Sequence, residues 1–258
     1  IHSLAQSWGP FLKIHHQSSS NETESVTPLQ QYLVQFKHDP VPDKALIQYR
    51  RLDDLAIILE PDHHRPIVYS WVDGSLGSIE ATLQVILQWS LQSRGGVLVH
   101  ASAGIYQGQG ILVPGESGAG KSTVAREAGF DRVLSDEMVI VEPDQSSSST
   151  AYQLYSTPFW SEGRTLPMII DKAPLKLIAF PHKSNRAKLS PCHEAQAVRQ
   201  LLRAITVYER QDDTAYAQQQ LAGLFELSCA LCSVTPHVNL DFPKQGTWAA
   251  TLLSQILR

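Results

Sequence analysis

Gly115-Glu116-Ser117-Gly118-Ala119-Gly120-Lys121-Ser122 is the stretch on which the reading of this chain turns. It meets the P-loop (Walker A) pattern G-x-x-x-x-G-K-[ST], with Gly115, Gly120, Lys121 and Ser122 at the fixed positions. Each has a chemical reason. Glycines let backbone N–H groups turn inward around phosphate oxygens with no Cβ in the way. A following helix adds a dipole that favours the same anion. The lysine is a point charge for the β/γ-phosphates, and the serine hydroxyl is a magnesium ligand. The residues expected to hold a nucleotide are therefore Gly115, Glu116, Ser117, Gly118, Ala119, Gly120, Lys121, Ser122 and Thr123. The expected ligands are ATP or GTP with Mg²⁺, the loop itself not separating the two bases.

Working outward, the apolar run Gly110 to Pro114 reads as the strand feeding the loop, and Lys121 to Ala128 as the helix leaving it. Val97 to Ala101 reads as a strand with His100 at its end, so the ends of this strand and the loop's own strand are expected side by side. Arg132 to Ser135 is a short strand closing on Asp136-Glu137, and Met138 to Val141 continues as strand. An α/β sheet delivers side chains to its ligand crevice at such strand ends. One of Asp136 and Glu137 is expected to hold magnesium with Ser122, directly or through water, and the other to accept a hydroxyl proton. Position alone does not say which does which. Arg164, after Ser161-Glu162-Gly163 in a predicted mobile loop near the crevice, could neutralise charge on a transferred phosphoryl group, a plain surface arginine being the alternative.

Before this region, residues 1–29 are polar and irregular and read as a flexible arm. Residues 30–94 read as a small antiparallel β unit plus a helix. Its strands are Gln31–Phe36, Ala45–Tyr49, Leu55–Leu59 and Pro66–Val72, separated by turn clusters such as Asp39-Pro40-Val41-Pro42-Asp43. The helix carries Leu76, Ile79, Leu83, Ile86 and Leu87 on one 3.6-residue face and is stopped by Gly95-Gly96. After the acids, Leu175–Phe180 reads as a buried strand. Helices are expected around Val198 to Ile205, over Ala217–Leu231 and over Trp248–Leu257.

The 258 residues suffice for one large α/β domain or for a small unit joined to a larger one. An apolar fraction of 43% with 18% charged residues fits a folded core. A net charge of −4 and a pI near 6.2 give no general attraction to nucleic acid. No run of eighteen apolar residues is present, so no membrane span is expected. Cys192, Cys229 and Cys232 make an odd count without a disulfide framework, which fits a reducing compartment and a cytoplasmic protein. Cys229-Ala230-Leu231-Cys232 has zinc-like spacing, but two small buried residues near a helix end are the plainer account.

The segment from Val97 to Val141 resembles the catalytic domain of HPr kinase/phosphorylase, a bacterial protein-serine kinase sharing its P-loop architecture with phosphoenolpyruvate carboxykinase. The resemblance is carried by His100 followed by Ala101-Ser102-Ala103-Gly104-Ile105-Tyr106, by Gly115 to Ser122, and by Leu134-Ser135-Asp136-Glu137. It extends loosely through Ser156-Thr157-Pro158-Phe159-Trp160 to Pro236-His237-Val238-Asn239-Leu240. It implies an α/β fold with a mixed β-sheet and flanking helices over residues 95–258, preceded by the small N-terminal β unit. It also implies Asp136 as the acid/base acting on an acceptor serine with His100 beside it, and Lys121 and Ser122 on nucleotide and metal. Glu137 stands where the family has a second Asp. The family's glycine- and arginine-rich segment after the acids has no counterpart here, so HPr itself is not the expected acceptor.

The leading expectation is an ATP-dependent serine kinase acting on a protein or peptide, with self-association compatible. A tailoring kinase of a ribosomally made peptide, such as a lasso peptide, is one alternative. A nucleotide-binding regulatory protein without transfer activity is another. An enzyme of a small metabolite ranks last, because few arginines occur in the matching region.

Overall fold

The computed structural model describes residues 33–36, 47–50, 56–59, 67–71, 76–92, 94–145, 150–160, 167–206 and 214–244. The arm at 1–29, Arg164 and the helix expected over Trp248–Leu257 lie outside them. The chain divides into two compact units, residues 1–90 with 208–218, and residues 91–207 with 219–258.

In the first unit, strands β1 (Leu33–Phe36), β2 (Ile47–Arg50), β3 (Ala56–Leu59) and β4 (Ile67–Trp71) form a four-stranded sheet in the order β1-β4-β3-β2. The four strands sit within or next to the strand-like runs, but the sheet is not wholly antiparallel. β2–β3 and β3–β4 pair antiparallel, whereas β1 pairs parallel with β4, Leu33 opposite Ile67. Strand patterning reports which residues alternate and is silent on pairing direction.

Helix α1 (Leu76–Gln92) follows. Its burial is broader than the expected apolar face. Ala81, Val85, Ile86 and Leu91 are buried, but so are Thr82, Gln84 and Gln88, while Leu83 and Leu87 are only half-buried. A helix covered on several sides does not sort its residues by one stripe. It ends as the glycines require: Gly95 takes φ +70, its N–H donates to Gln92 O, and Gly96 N–H donates to Leu91 O at 2.9 Å. That is the Schellman arrangement.

The second unit is a mixed α/β structure built on an eight-stranded sheet. Its strands are β5 (Val97–Tyr106), β6 (Gln109–Pro114), β7 (Arg132–Ser135), β8 (Met138–Pro143), β9 (Tyr152–Tyr155), β10 (Lys172–Lys183), β11 (Lys188–Pro191) and β12 (His237–Phe242). The order is β11-β12-β10-β6-β5-β8-β9, with β7 also paired to β5 and β9 also paired to β10. Two long strands are each shared. β5 pairs with β8 through Val97–His100, and then with β6 and β7 through Ala101–Tyr106. β10 pairs with β9 through Lys172–Pro174, and then with β6 and β12.

β6, β10 and β12 run parallel to one another, so their C-terminal ends reach the same edge. The glycine loop leaves β6 at that edge. Alternation along the strands sorts the core into two faces. Leu112, Ile178 and Phe180 turn to one face with Ala197, Val198 and Leu201 of α3 (Glu194–Ala204) and Leu224 and Leu231 of α4 (Thr214–Val234). Ile111, Val113, Leu177, Ala179, Leu240 and Phe242 turn to the other, against Val124 and Ala128 at α2 (Lys121–Glu127). Helices thus flank the sheet. No helix among the described residues is long and apolar enough to cross a membrane.

His100 does not end its strand. β5 runs six residues further, to Tyr106, and turns back into β6 through Gln107 and Gly108, both at positive φ. The run Ala101-Ser102-Ala103-Gly104 has little apolar bulk, and at Gly104 the packing needs that smallness. A Cβ on Gly104 would come within 2.2 Å of the Phe130 ring.

Candidate functional site

Because β5 and β6 are an antiparallel hairpin with Ala101 opposite Pro114, the backbone of His100 meets the start of the glycine loop. Gly115 N–H donates to His100 O at 3.2 Å. The expected neighbourhood of His100 and Gly115 is therefore present, although it comes from strand pairing and not from two strand ends.

The loop closes with Gly118 at φ +78 and Gly120 at φ +102, the left-handed region that favours glycine. At Gly120 there is a second constraint, since a Cβ would sit 2.4 Å from Cζ of Phe242 at the end of β12. Ser102 Oγ, fully buried on β5, donates to Lys121 O at 3.0 Å and fixes the first turn of α2 to the sheet. Lys121 itself is 5% exposed, and its Nζ donates to Glu116 O at 3.0 Å. Burial pulls its pKa below 10.5, against the opposing pull of Glu137 and, more weakly, Asp136. A buried ammonium under the pull of two carboxylates is the kind of perturbed group that clusters at functional sites.

The acids occupy the tight turn between β7 and β8. Ser135 Oγ accepts from the N–H groups of Glu137 and Met138, both at 3.2 Å, and donates to Phe159 O at 3.1 Å. Glu137 O accepts from Ala101 N–H at 3.0 Å, which binds the turn to β5. The two carboxylates differ in setting. Asp136 is 5% exposed, whereas Glu137 is half-buried, with Oε1 3.1 Å from His100 Nε2.

A cavity of about 770 Å³ lies over this edge of the sheet. Its wall includes Ser117, Gly118, Gly120, Lys121, Ser122 and Thr123 from the loop and α2, and Glu137 from the turn. Glu137, not Asp136, is the acid on the wall. Sequence reasoning missed the opposite flank: Lys183, Ser184 and Asn185 at and after the end of β10, and Phe242, Pro243 and Lys244 at and after the end of β12. The signal was present in principle. Strands parallel to the loop's own strand deliver their following residues to the same crevice, but β12 was not recognised as a strand.

Of the Cys229-Cys232 pair expected to be buried, only Cys232 is; Cys229 is half-buried. Cys192 and Cys232 are buried and all three are free. Burial, aided by Glu194 and the other two cysteines, pushes the Cys232 thiol up to about 12. Among the described residues no group of three or more His, Cys, Asp or Glu could hold a metal. A magnesium site here would need Ser122, one carboxylate, phosphate oxygens and water.

Against known proteins, a family model described as SynChlorMet cassette protein ScmC matches residues 73–257. No curated protein matches the chain. The match corrects the resemblance read from His100, the glycine loop and Asp136-Glu137. Those short motifs are common to many phosphate-binding sites, whereas the family match spans most of the chain, and it is not to an HPr kinase family. The chain belongs to the ScmC family of SynChlorMet cassette proteins.

Proposed function

We propose that the second unit is a P-loop domain that binds a magnesium nucleoside triphosphate and transfers its γ-phosphoryl group to a serine hydroxyl of a protein or peptide. One observation carries the reading. Lys121, 5% exposed, sits on the wall of a cavity whose other side chains include Ser122 and Glu137. The family description names a cassette and no reaction, so the reading rests on the site.

The residues fit the ligand. A Cβ at Gly120 has no room, and the left-handed Gly118 and Gly120 open the loop as close approach by phosphate requires. Lys121 would release Glu116 O to meet the β/γ-phosphates. Ser122 and Asp136 would hold magnesium, Asp136 through water, and the metal would offset phosphate charge. Glu137 faces the cavity and would take the proton of the acceptor serine, with His100 fixing its carboxylate. The serine oxygen forms the new bond to phosphorus, the bond from phosphorus to the β,γ-bridging oxygen breaks, and the nucleoside diphosphate leaves with that electron pair. Positioning and charge neutralisation supply most of the rate.

Incubation with γ-labelled ATP, Mg²⁺ and serine-bearing peptides tests this, read beside nucleotide binding. Label on serine that disappears in Glu137→Gln, with nucleotide still bound, supports the reading. Nucleotide binding without transfer to any acceptor would instead favour a nucleotide-binding regulator, in which the Glu137–His100 pair is structural.

A further inference from the structure

The cavity is larger than a phosphate tail requires, and its charge is uneven. Lys121, Lys183 and Lys244 line it against one carboxylate, Glu137. Even with Asp136, which also acts on Lys121 from behind the wall, three ammonium groups against two acids leave a net positive charge, in a chain whose formal net charge is −4. The two additional lysines are exposed, and among the described residues neither has a carboxylate within ion-pair distance. Nor are they independent of each other. Lys183 pairs in register with Phe242 across β10 and β12, and Ser184 N–H donates to Phe242 O at 2.9 Å. The segments carrying Lys183 and Lys244 are therefore tied together at one flank of the cavity.

Strand order fixes which flank that is. In the run β12-β10-β6-β5, the glycine loop follows β6. β10 and β12, with the lysines, lie on one side of it. β5 and the β7–β8 turn, with His100 and Glu137, lie on the other. In-line phosphoryl transfer puts the attacking oxygen and the leaving oxygen on opposite sides of phosphorus. A base must reach the attacking oxygen, so the acceptor belongs on the Glu137 flank. The leaving diphosphate and its nucleoside then belong on the other.

From this we infer that Lys183 and Lys244 form a second anion clamp, which binds the α/β end of the nucleotide and sets its direction across the sheet. It rests on the proposed nucleotide reading and goes beyond it by assigning the two flanks. The clamp holds the charge that builds on the leaving nucleoside diphosphate, and Asn185 beside it offers a donor and an acceptor to the nucleoside. Serine-bearing acceptors enter from the His100 side and do not meet the lysines.

The test is equilibrium titration of the full chain with Mg·ATP, Mg·ADP and a fluorescent ADP analogue. It compares the parent with Lys183→Ala, Lys244→Ala, the double variant, and Lys183→Arg/Lys244→Arg. Each alanine variant is expected to weaken ATP and ADP roughly ten-fold. The arginine variant, which keeps both charges, is expected to stay within about three-fold of the parent, and it separates charge from any effect on folding. In transfer assays the alanine variants raise KM for ATP and leave KM for a serine peptide unchanged. Unaltered nucleotide affinity in the double variant overturns the clamp while leaving the nucleotide reading intact. So does a rise confined to the peptide KM. A parent that binds no nucleotide overturns both.

Discussion

His100 Nε2 lies 3.1 Å from Glu137 Oε1, joining the middle of β5 to the turn between β7 and β8. Ala101 N–H donates to Glu137 O one residue along, so backbone and side chain fix the same junction. The carboxylate on the cavity wall thereby has a defined orientation, which a base needs before its basicity matters.

Glu137→Gln keeps the shape and removes the proton acceptor. Phosphoryl transfer should fall by about 10²–10⁴-fold, while Mg·ATP affinity changes by less than about three-fold. His100→Ala should cost less, on the order of ten-fold in kcat, since it disturbs the orientation and not the base itself. Steady-state kinetics beside direct nucleotide titration separates the two. Equal loss of binding and turnover in Glu137→Gln would argue that this carboxylate holds metal.

Gly120→Ala should be far worse than Gly118→Ala. Both positions have positive φ, which costs an alanine roughly 1–2 kcal/mol. A Cβ at Gly118 meets open space, whereas at Gly120 it meets the Phe242 ring at 2.4 Å. Urea denaturation should show the larger loss at Gly120. Phe242→Ala alone, emptying a fully packed site, should cost about 3–5 kcal/mol. The double variant Gly120→Ala/Phe242→Ala should cost less than the two single losses added, because the clash is removed. Strict additivity would mean that the loop does not rest on Phe242.

Nucleotide affinity should decline on the alkaline side earlier than for an ordinary lysine. Burial lowers the Lys121 pKa from 10.5, so the ammonium that meets phosphate is lost as pH rises through that lowered value. Below it the charge is fully present. Bound phosphate raises the value again, so the midpoint should move upward as ATP is added. Lys121→Arg, charged throughout, should abolish the alkaline loss even if it binds more weakly. Titrations from neutral pH upward check this, and a flat profile for the parent would be inconsistent with Lys121 as the phosphate contact.

The parts of the fold carried by local patterns were legible in the sequence. The apolar runs placed the strands next to the loop, and Gly95-Gly96 placed the end of α1. What was hidden depends on pairing. The parallel partnership of β1 with β4 and the sharing of β5 and β10 between neighbours leave no local signature. The continuation of β5 past His100 is hard to see in sequence because Ala101-Ser102-Ala103-Gly104 lacks the apolar bulk that marks a strand, yet its smallness admits the Phe130 ring. In the candidate site, Lys121, Ser122 and Glu137 could be read from spacing. Lys183 and Lys244 could not, because they reach the cavity only through the parallel order of β6, β10 and β12. The family was misjudged for a related reason: a histidine, a glycine loop and an acidic pair describe a local chemistry that unrelated chains can share.

The proposed transfer requires that the loop from Gly115 to Ser122 hold a nucleoside triphosphate through Lys121. Calorimetric titration of the full chain with Mg·ATP, in parallel with Lys121→Ala, tests it most directly. Saturable one-site binding by the parent is expected, weakened roughly 10- to 100-fold in the variant, with the variant still folded by circular dichroism. Absence of binding in the parent, or the same affinity in Lys121→Ala, would contradict it.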